Sequence, residues 1–186
     1  MNRNPDGQED TIAVAPVVPV LSTPRLRLRR MRVDDAPFML ALLNDPSWHR
    51  FIGDRGIRTL EGAVDYIVNG PLAMVARLGF GFDVVELAGG GCPIGVCGLA
   101  KRDFLDDVDI GYAFLPQYWG SGYAHEAAQA VLAHARQLGL RRVVATVRPD
   151  NAASIRLLEK LGLRYERRLE RMPAAPDLCL YAVEFA

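Results

Sequence analysis

The chain has 186 residues, half of them hydrophobic, which suits one domain with a substantial core. Its 22 basic and 22 acidic residues cancel, so composition gives no electrostatic case for nucleic acid or an anionic membrane as partner. Three cysteines, Cys92, Cys97 and Cys179, suggest no disulfide framework and form no metal-ligand spacing with His49, His125 and His134.

Residues 1 to about 20 read as a flexible tail. The apolar run Ile12–Val20 is short, interrupted by Pro16 and Pro19, and preceded by Glu9 and Asp10. That pattern matches neither a signal peptide nor the ~20 apolar residues of a membrane span, so a cytoplasmic protein is expected. Residues 21–186 then read as one domain without internal repeats.

A first strand is predicted over Leu26–Met31, with the leucines on its core face and Arg25, Arg27 and Arg29 on the solvated one. Asp34 or Asp35 can cap a helix through Leu43 that stops near Asn44-Asp45-Pro46. A second helical region begins after Thr59 and is predicted to break at Asn69-Gly70-Pro71, with a further turn ending at Gly79. Strands follow over Gly81–Leu87 and Pro93–Lys101, joined by three glycines, then over Val108–Leu115.

Next comes Gln117-Tyr118-Trp119-Gly120-Ser121-Gly122-Tyr123-Ala124, a glycine-rich turn feeding an alanine-rich helix that Gly139 ends. Two glycines let the backbone turn tightly, and the free N–H groups of a helix start favour an anion. The turn itself holds no lysine or arginine, so peptide N–H groups must supply the attraction. It is not a Walker loop, because the Gly-Lys-Ser/Thr ending is missing. A dinucleotide site fails as well: His125 stands where the third glycine belongs, and Leu140-Arg141-Arg142-Val143 lacks the acidic residue. Strand Arg142–Val147, a helix from Ala152 to Leu161, and strands near Leu163–Arg171 and Leu178–Phe185 complete the chain. A strand, helix and strand over 108–147 predict a parallel pair with a right-handed crossover.

Two segments together resemble the GCN5-related N-acetyltransferase (GNAT) superfamily. Gln117, Gly120 and Gly122 match its Gln/Arg-x-x-Gly-x-Gly/Ala loop. Asn151, Ser154, Lys160 and Gly162 match its Asn-x-x-Ser/Ala helix ending in Lys-x-Gly-Phe, with Leu163 in place of the aromatic. The opening Thr23-Pro24-Arg25-Leu26-Arg27-Leu28-Arg29, Asp34-Asp35-Ala36 and the Trp-Gly-x-Gly-Tyr-Ala turn look like the branch of ribosomal-protein alanine N-acetyltransferases. The resemblance runs from about Leu21 to the C-terminus. It implies a mixed α/β fold: a mostly antiparallel sheet of about seven strands, helices on both faces and a splayed parallel pair that binds CoA.

The implied cosubstrate is acetyl-CoA, with no metal, and the implied partner is an amine acceptor, a small molecule or a protein N-terminus. Its pantetheine arm would pair with backbone at Ala113, Phe114 and Leu115, and its pyrophosphate would rest on Gln117 to Ala124. A backbone N–H near Phe114 can stabilise the oxyanion. Many members carry a tyrosine acid four residues after the Ser/Ala position, which here is Leu158. Ser154 can donate a proton to sulfur, directly or through water, or simply bond helix backbone. Asn151 can cap its helix and bind a pantetheine amide. The base is open among Asp109, Glu86, Glu184 and a water relay; each carboxylate also reads as a solvated surface group. Tyr112 reads as a packing aromatic. Trp48 and Phe51, with Ile52, can wall the acceptor pocket or sit in a core, and Arg55, Arg58 and Arg77 can recognise an acidic acceptor. Longer acyl groups such as succinyl stay open, as does a catalytically silent acyl-CoA sensor. Exposed C-terminal strand edges can support a homodimer.

Overall fold

The computed structural model describes residues 20–169 and 177–185. The tail expected over residues 1–20 lies, up to residue 19, outside them, as do the last two residues of the strand expected to reach Arg171. The elements are β1 (Leu21–Ser22), β2 (Leu26–Arg30), α1 (Ala36–Leu43), α2 (Pro46–Phe51), α3 (Leu60–Ile67), α4 (Ala73–Leu78), β3 (Phe82–Leu87), β4 (Pro93–Lys101), β5 (Val108–Phe114), α5 (Tyr123–Gln137), β6 (Arg142–Val147), α6 (Ala152–Lys160), β7 (Arg164–Arg168) and β8 (Cys179–Glu184).

The strands form one sheet of eight in the order β1-β2-β3-β4-β5-β6-β8-β7. Two-residue β1, which runs antiparallel to β2, is the strand added to the seven expected. Every neighbouring pair is antiparallel except β5 and β6. These two are bridged at Asp109 and Val144. Beyond that point β5 follows β4 to Phe114 while β6 follows β8 to Val147, so the parallel strands part toward their C-terminal ends. One core packs α5 and α6 on the sheet, through residues such as Leu28, Cys97, Ala128, Val131 and Leu158. A second core joins α1, α2 and α3 to the sheet through Met31, Met39, Trp48, Ile67, Val84 and Val96.

Three local expectations are corrected. The helix does not break at Asn69-Gly70-Pro71: Val68–Leu72 forms one π-helical turn that joins α3 to α4. A wider turn accommodates a residue without an N–H, as it does at other bulges in helices. Gly79, with φ of 77°, then ends α4 as expected. Asp35 does not cap α1 with its side chain. Its carboxylate instead binds Arg29, Nη1 at 2.8 Å and Nη2 at 2.7 Å, and accepts from the Arg32 N–H at 2.8 Å. Arg29 accordingly is not on a solvated face: it is buried, and its Nε donates to Glu86 at 2.7 Å. Burying a guanidinium requires such partners, and two carboxylates supply them.

Candidate active site

A cavity of about 1430 Å³ occupies the wedge between β5 and β6, with Asp109–Phe114 on one wall and Ala145–Val147 on the other. Strand divergence is what makes room for it. At its mouth the chain turns through Gly120 and Gly122, whose φ angles of 75° and 80° lie in the left-handed region. A Cβ on Gly120 would meet no atom within 4 Å, so backbone conformation, not crowding, calls for glycine there. Gly122 caps α5 and offers no side chain to its first N–H groups. These donors stand at the wedge, where an anion would satisfy them.

Arg25 braces the turn from behind. Its Nη1 donates to the Ser121 carbonyl at 2.9 Å, its Nε to Glu126 at 2.6 Å, and its guanidinium carbon lies 4.8 Å from the centre of the Tyr123 ring. Glu126 also accepts from the Thr23 hydroxyl at 2.6 Å and the Arg25 N–H at 3.0 Å. Burial would push the Glu126 carboxyl up, but these bonds outweigh it and hold the group below the usual range.

Of the turn residues, Tyr118, Trp119, Gly120, Gly122, Tyr123 and Ala124 line the cavity, whereas Leu115, Gln117 and Ser121 do not. The Leu115 N–H is bonded to the Ile94 carbonyl of β4 at 3.0 Å. By the alternation of an antiparallel ladder, the Phe114 peptide groups face the other way, into the wedge. The Phe114 carbonyl accepts from Trp119 Nε1 at 2.8 Å.

On the opposite wall, Asn151 caps α6 by accepting from the Ser154 N–H at 3.1 Å. That cap fixes the first turn and carries the Ser154 hydroxyl to 2.9 Å from the hydroxyl of Tyr112 on β5. Burial pushes the Tyr112 phenol up to about 12, so it stays protonated at neutral pH. Tyr112 is therefore more than the packing aromatic expected. No local pattern announces the pairing, since the partners are 42 residues apart.

The carboxylates separate clearly. Asp109 is 1% exposed, lines the cavity, and takes Arg102 Nε on Oδ2 at 2.8 Å while Oδ1 has no partner in the protein. Burial raises its carboxyl above the usual range, and Arg102 opposes the shift. It is not a solvated surface group. Glu86 is taken up by Arg29 and Glu184 is an exposed partner of Arg142, and neither lines the cavity. Trp48 and Phe51 both line it; Arg55 does too, while Arg58 is paired with Asp54 and Arg77 lies elsewhere. Among the described residues there is no cluster of His, Cys, Asp or Glu suited to a metal ion, and no helix is long and apolar enough to cross a membrane.

An open mixed sheet parted at its one parallel pair, with a glycine-turned helix start beside a capped helix, is an arrangement shared with solved structures of acetyltransferases. Residues 25–164 match the family model described as an acetyltransferase (GNAT) domain. The chain belongs to this family. Among its relatives, the uncharacterized N-acetyltransferase YoaA of Bacillus subtilis (strain 168) is 32% identical over 154 residues, covering 80% of this chain and 84% of that protein. A GNAT-family acetyltransferase structure from Bacillus anthracis superposes with a TM-score of 0.73 at 26% identity, covering 88% of this chain and 96% of that one. The fold is shared as well with RimL, a ribosomal L7/L12 alpha-N-protein acetyltransferase solved in complex with coenzyme A, at a TM-score of 0.77 and 20% identity over 91% of this chain and 98% of that one.

Proposed function

We propose that the chain is an N-acetyltransferase that moves an acetyl group from acetyl-CoA directly to a primary amine, with donor and acceptor bound together. The observation that carries this reading is that one cavity holds a bare helix start, a hydroxyl pair and a buried carboxylate with a free oxygen. The pyrophosphate fits the amides around Gly120–Ala124, because the turn leaves them open and Arg25 holds them in place. The pantetheine arm fits the peptide edge of β5 at Phe114, which β6 leaves unpaired. Acetyl-CoA supplies the thioester that the acceptor nitrogen attacks.

This chain's residues then have three tasks. The Phe114 N–H, facing the wedge, serves as donor to the thioester carbonyl oxygen. Asp109, ionised, takes one proton from the acceptor ammonium, directly or through a water, using the oxygen that Arg102 leaves free. Ser154 delivers a proton to the departing sulfur and Tyr112 replenishes it, which replaces the tyrosine missing at Leu158. Of the two protons the ammonium gives up, one leaves through Asp109 and the other, released as the amide forms, returns through water to Tyr112, which balances the proton that Ser154 gave the sulfur. Asn151 holds Ser154 in place.

Leu158 is buried in the core, and its lack of a hydroxyl favours a second reading, a sensor that binds acyl-CoA without turnover. Free-thiol release from acetyl-CoA and succinyl-CoA across amines and N-terminal peptides separates the two. Acceptor-dependent release supports the transferase and the better donor names the acyl group. Tight acetyl-CoA binding with every acceptor silent favours the sensor.

A further inference from the structure

The side of the cavity walled by α2 and α3 is rich in hydrogen-bond donors and poor in acceptors. Arg55 lines it and has no hydrogen bond or ion pair to the protein among the described residues. Arg102 spends its Nε on Asp109, which leaves both terminal nitrogens. The half-buried Tyr66 lines the same cavity as both guanidiniums. Trp48, on the same wall, keeps its indole N–H buried without a partner in the protein. A buried donor left unpaired costs stability, which a ligand oxygen would recover.

The charges point the same way. Four arginines and two aspartates line the cavity. Asp150 is bound by Arg148 and Asp109 by Arg102, so Arg55 and the exposed Arg167 remain without a carboxylate. Asp109 Oδ1 is the one buried, unpartnered acceptor here among the described residues. A ligand complementary to this wall has an amine for Asp109 and, a few bonds away, an anionic oxygen group for Arg55 and Arg102.

We infer that the acceptor is a primary amine bearing a carboxylate, with its ammonium at Asp109 and its carboxylate on Arg55, Arg102 and the Tyr66 hydroxyl. The inference rests on the acetyl-transfer reading above. A polyamine or aminoglycoside would instead bring cations to unpaired guanidiniums, and like charges in a cavity repel strongly. The carboxylate can belong to a free amino acid or to an acidic side chain at a peptide N-terminus; both present the same group.

The test uses the full chain, acetyl-CoA and matched acceptors. These are free L-aspartate and L-glutamate, peptides beginning with either residue, the same compounds with their carboxylates converted to amides, and spermidine. Acetyl-CoA binding is measured separately by calorimetry. The carboxylate members are expected to exceed their amides by at least about tenfold in kcat/KM, since a site built to bond a charged group rejects the analogue lacking it. Arg55→Gln is expected to remove about tenfold or more for the carboxylate members and less than about twofold for the amides. Its melting temperature should stay that of the parent, because Arg55 holds nothing else. The free amino acids and the peptides tell the two carboxylate sources apart. Equal rates for acids and amides, a preference for spermidine, or silence of every carboxylate acceptor while acetyl-CoA binds would each overturn the inference and leave CoA binding standing. Failure of acetyl-CoA to bind would instead bring down the reading beneath it.

Discussion

At the scale of single residues, the proposed chemistry depends on Tyr112, Ser154 and Asp109. Ser154→Ala removes the hydroxyl proposed to protonate the sulfur, and Tyr112→Phe removes the group proposed to replenish it. Each is expected to lower kcat by about 10–100-fold, with the double variant little worse than either, because the two act as one unit. Single-turnover thiol release measures it. Asp109 gives a pH signature. The base works ionised and burial raises its pKa, so kcat/KM should fall as pH drops through a value above the ordinary carboxylate range. Asp109→Asn should flatten that limb. Because its folded pKa is raised, the contribution of Asp109 to stability is complete below the unfolded value and lost as pH rises through the folded one. Asp109→Asn should therefore melt no earlier than the parent at neutral pH. Only part of this was legible beforehand. Position 158 showed at once that the usual tyrosine was missing. Nothing local paired 112 with 154, and the sequence left Asp109 open between a buried base and a solvated surface group.

At the scale of elements, the glycine turn and the first turn of α5 work as one piece clamped to β2. The stretch Thr23-Pro24-Arg25 resembled a family signature before it had a physical meaning. That meaning is the set of bonds from Thr23 and Arg25 to Glu126 and Ser121. Glu126→Ala should lower the melting temperature by about 2–4 °C at neutral pH, a loss on the order of 1 kcal/mol. The folded pKa of Glu126 is depressed, so its contribution is present above the unfolded value and lost as pH falls through the folded one. Parent and variant should thus converge in acid. Gly120→Val tests the turn itself, because a side chain at φ of 75° costs about 1–2 kcal/mol. Acetyl-CoA should bind at least about tenfold more weakly by calorimetry, and unchanged affinity would remove the turn from the site. Helix ends were legible where a glycine takes a positive φ, as at Gly79. They were not at Pro71, where a π turn keeps the helix going and a proline alone suggested a stop.

At the scale of the whole molecule, one sheet carries apolar cores against α5 and α6 and against α1 to α3, and the cavity opens where its parallel strands separate. The parallel pair was legible, because a strand, a helix and a strand in succession leave few topologies. The buried cross-link at Arg29 was not, since a Leu-Arg alternation gives no sign that a following turn folds over the polar face. Arg29 ties β2 to β3 through Glu86 and to the approach of α1 through Asp35. Both carboxylates are largely buried, with side-chain exposures of 13% and 8%, and each loses its partner if the guanidinium goes. Arg29→Ala should therefore cost about 3–5 kcal/mol, or roughly 6–20 °C in melting temperature for a chain of this size. Arg27→Ala, two residues along on the exposed side, should stay within about 0.5 kcal/mol. Because Met39 and Trp48 belong to the core beneath the α1 side, Arg29→Ala should also raise KM for the acceptor more than for acetyl-CoA. If the two arginine variants melt together, the ion triad is not what holds the acceptor wall to the sheet.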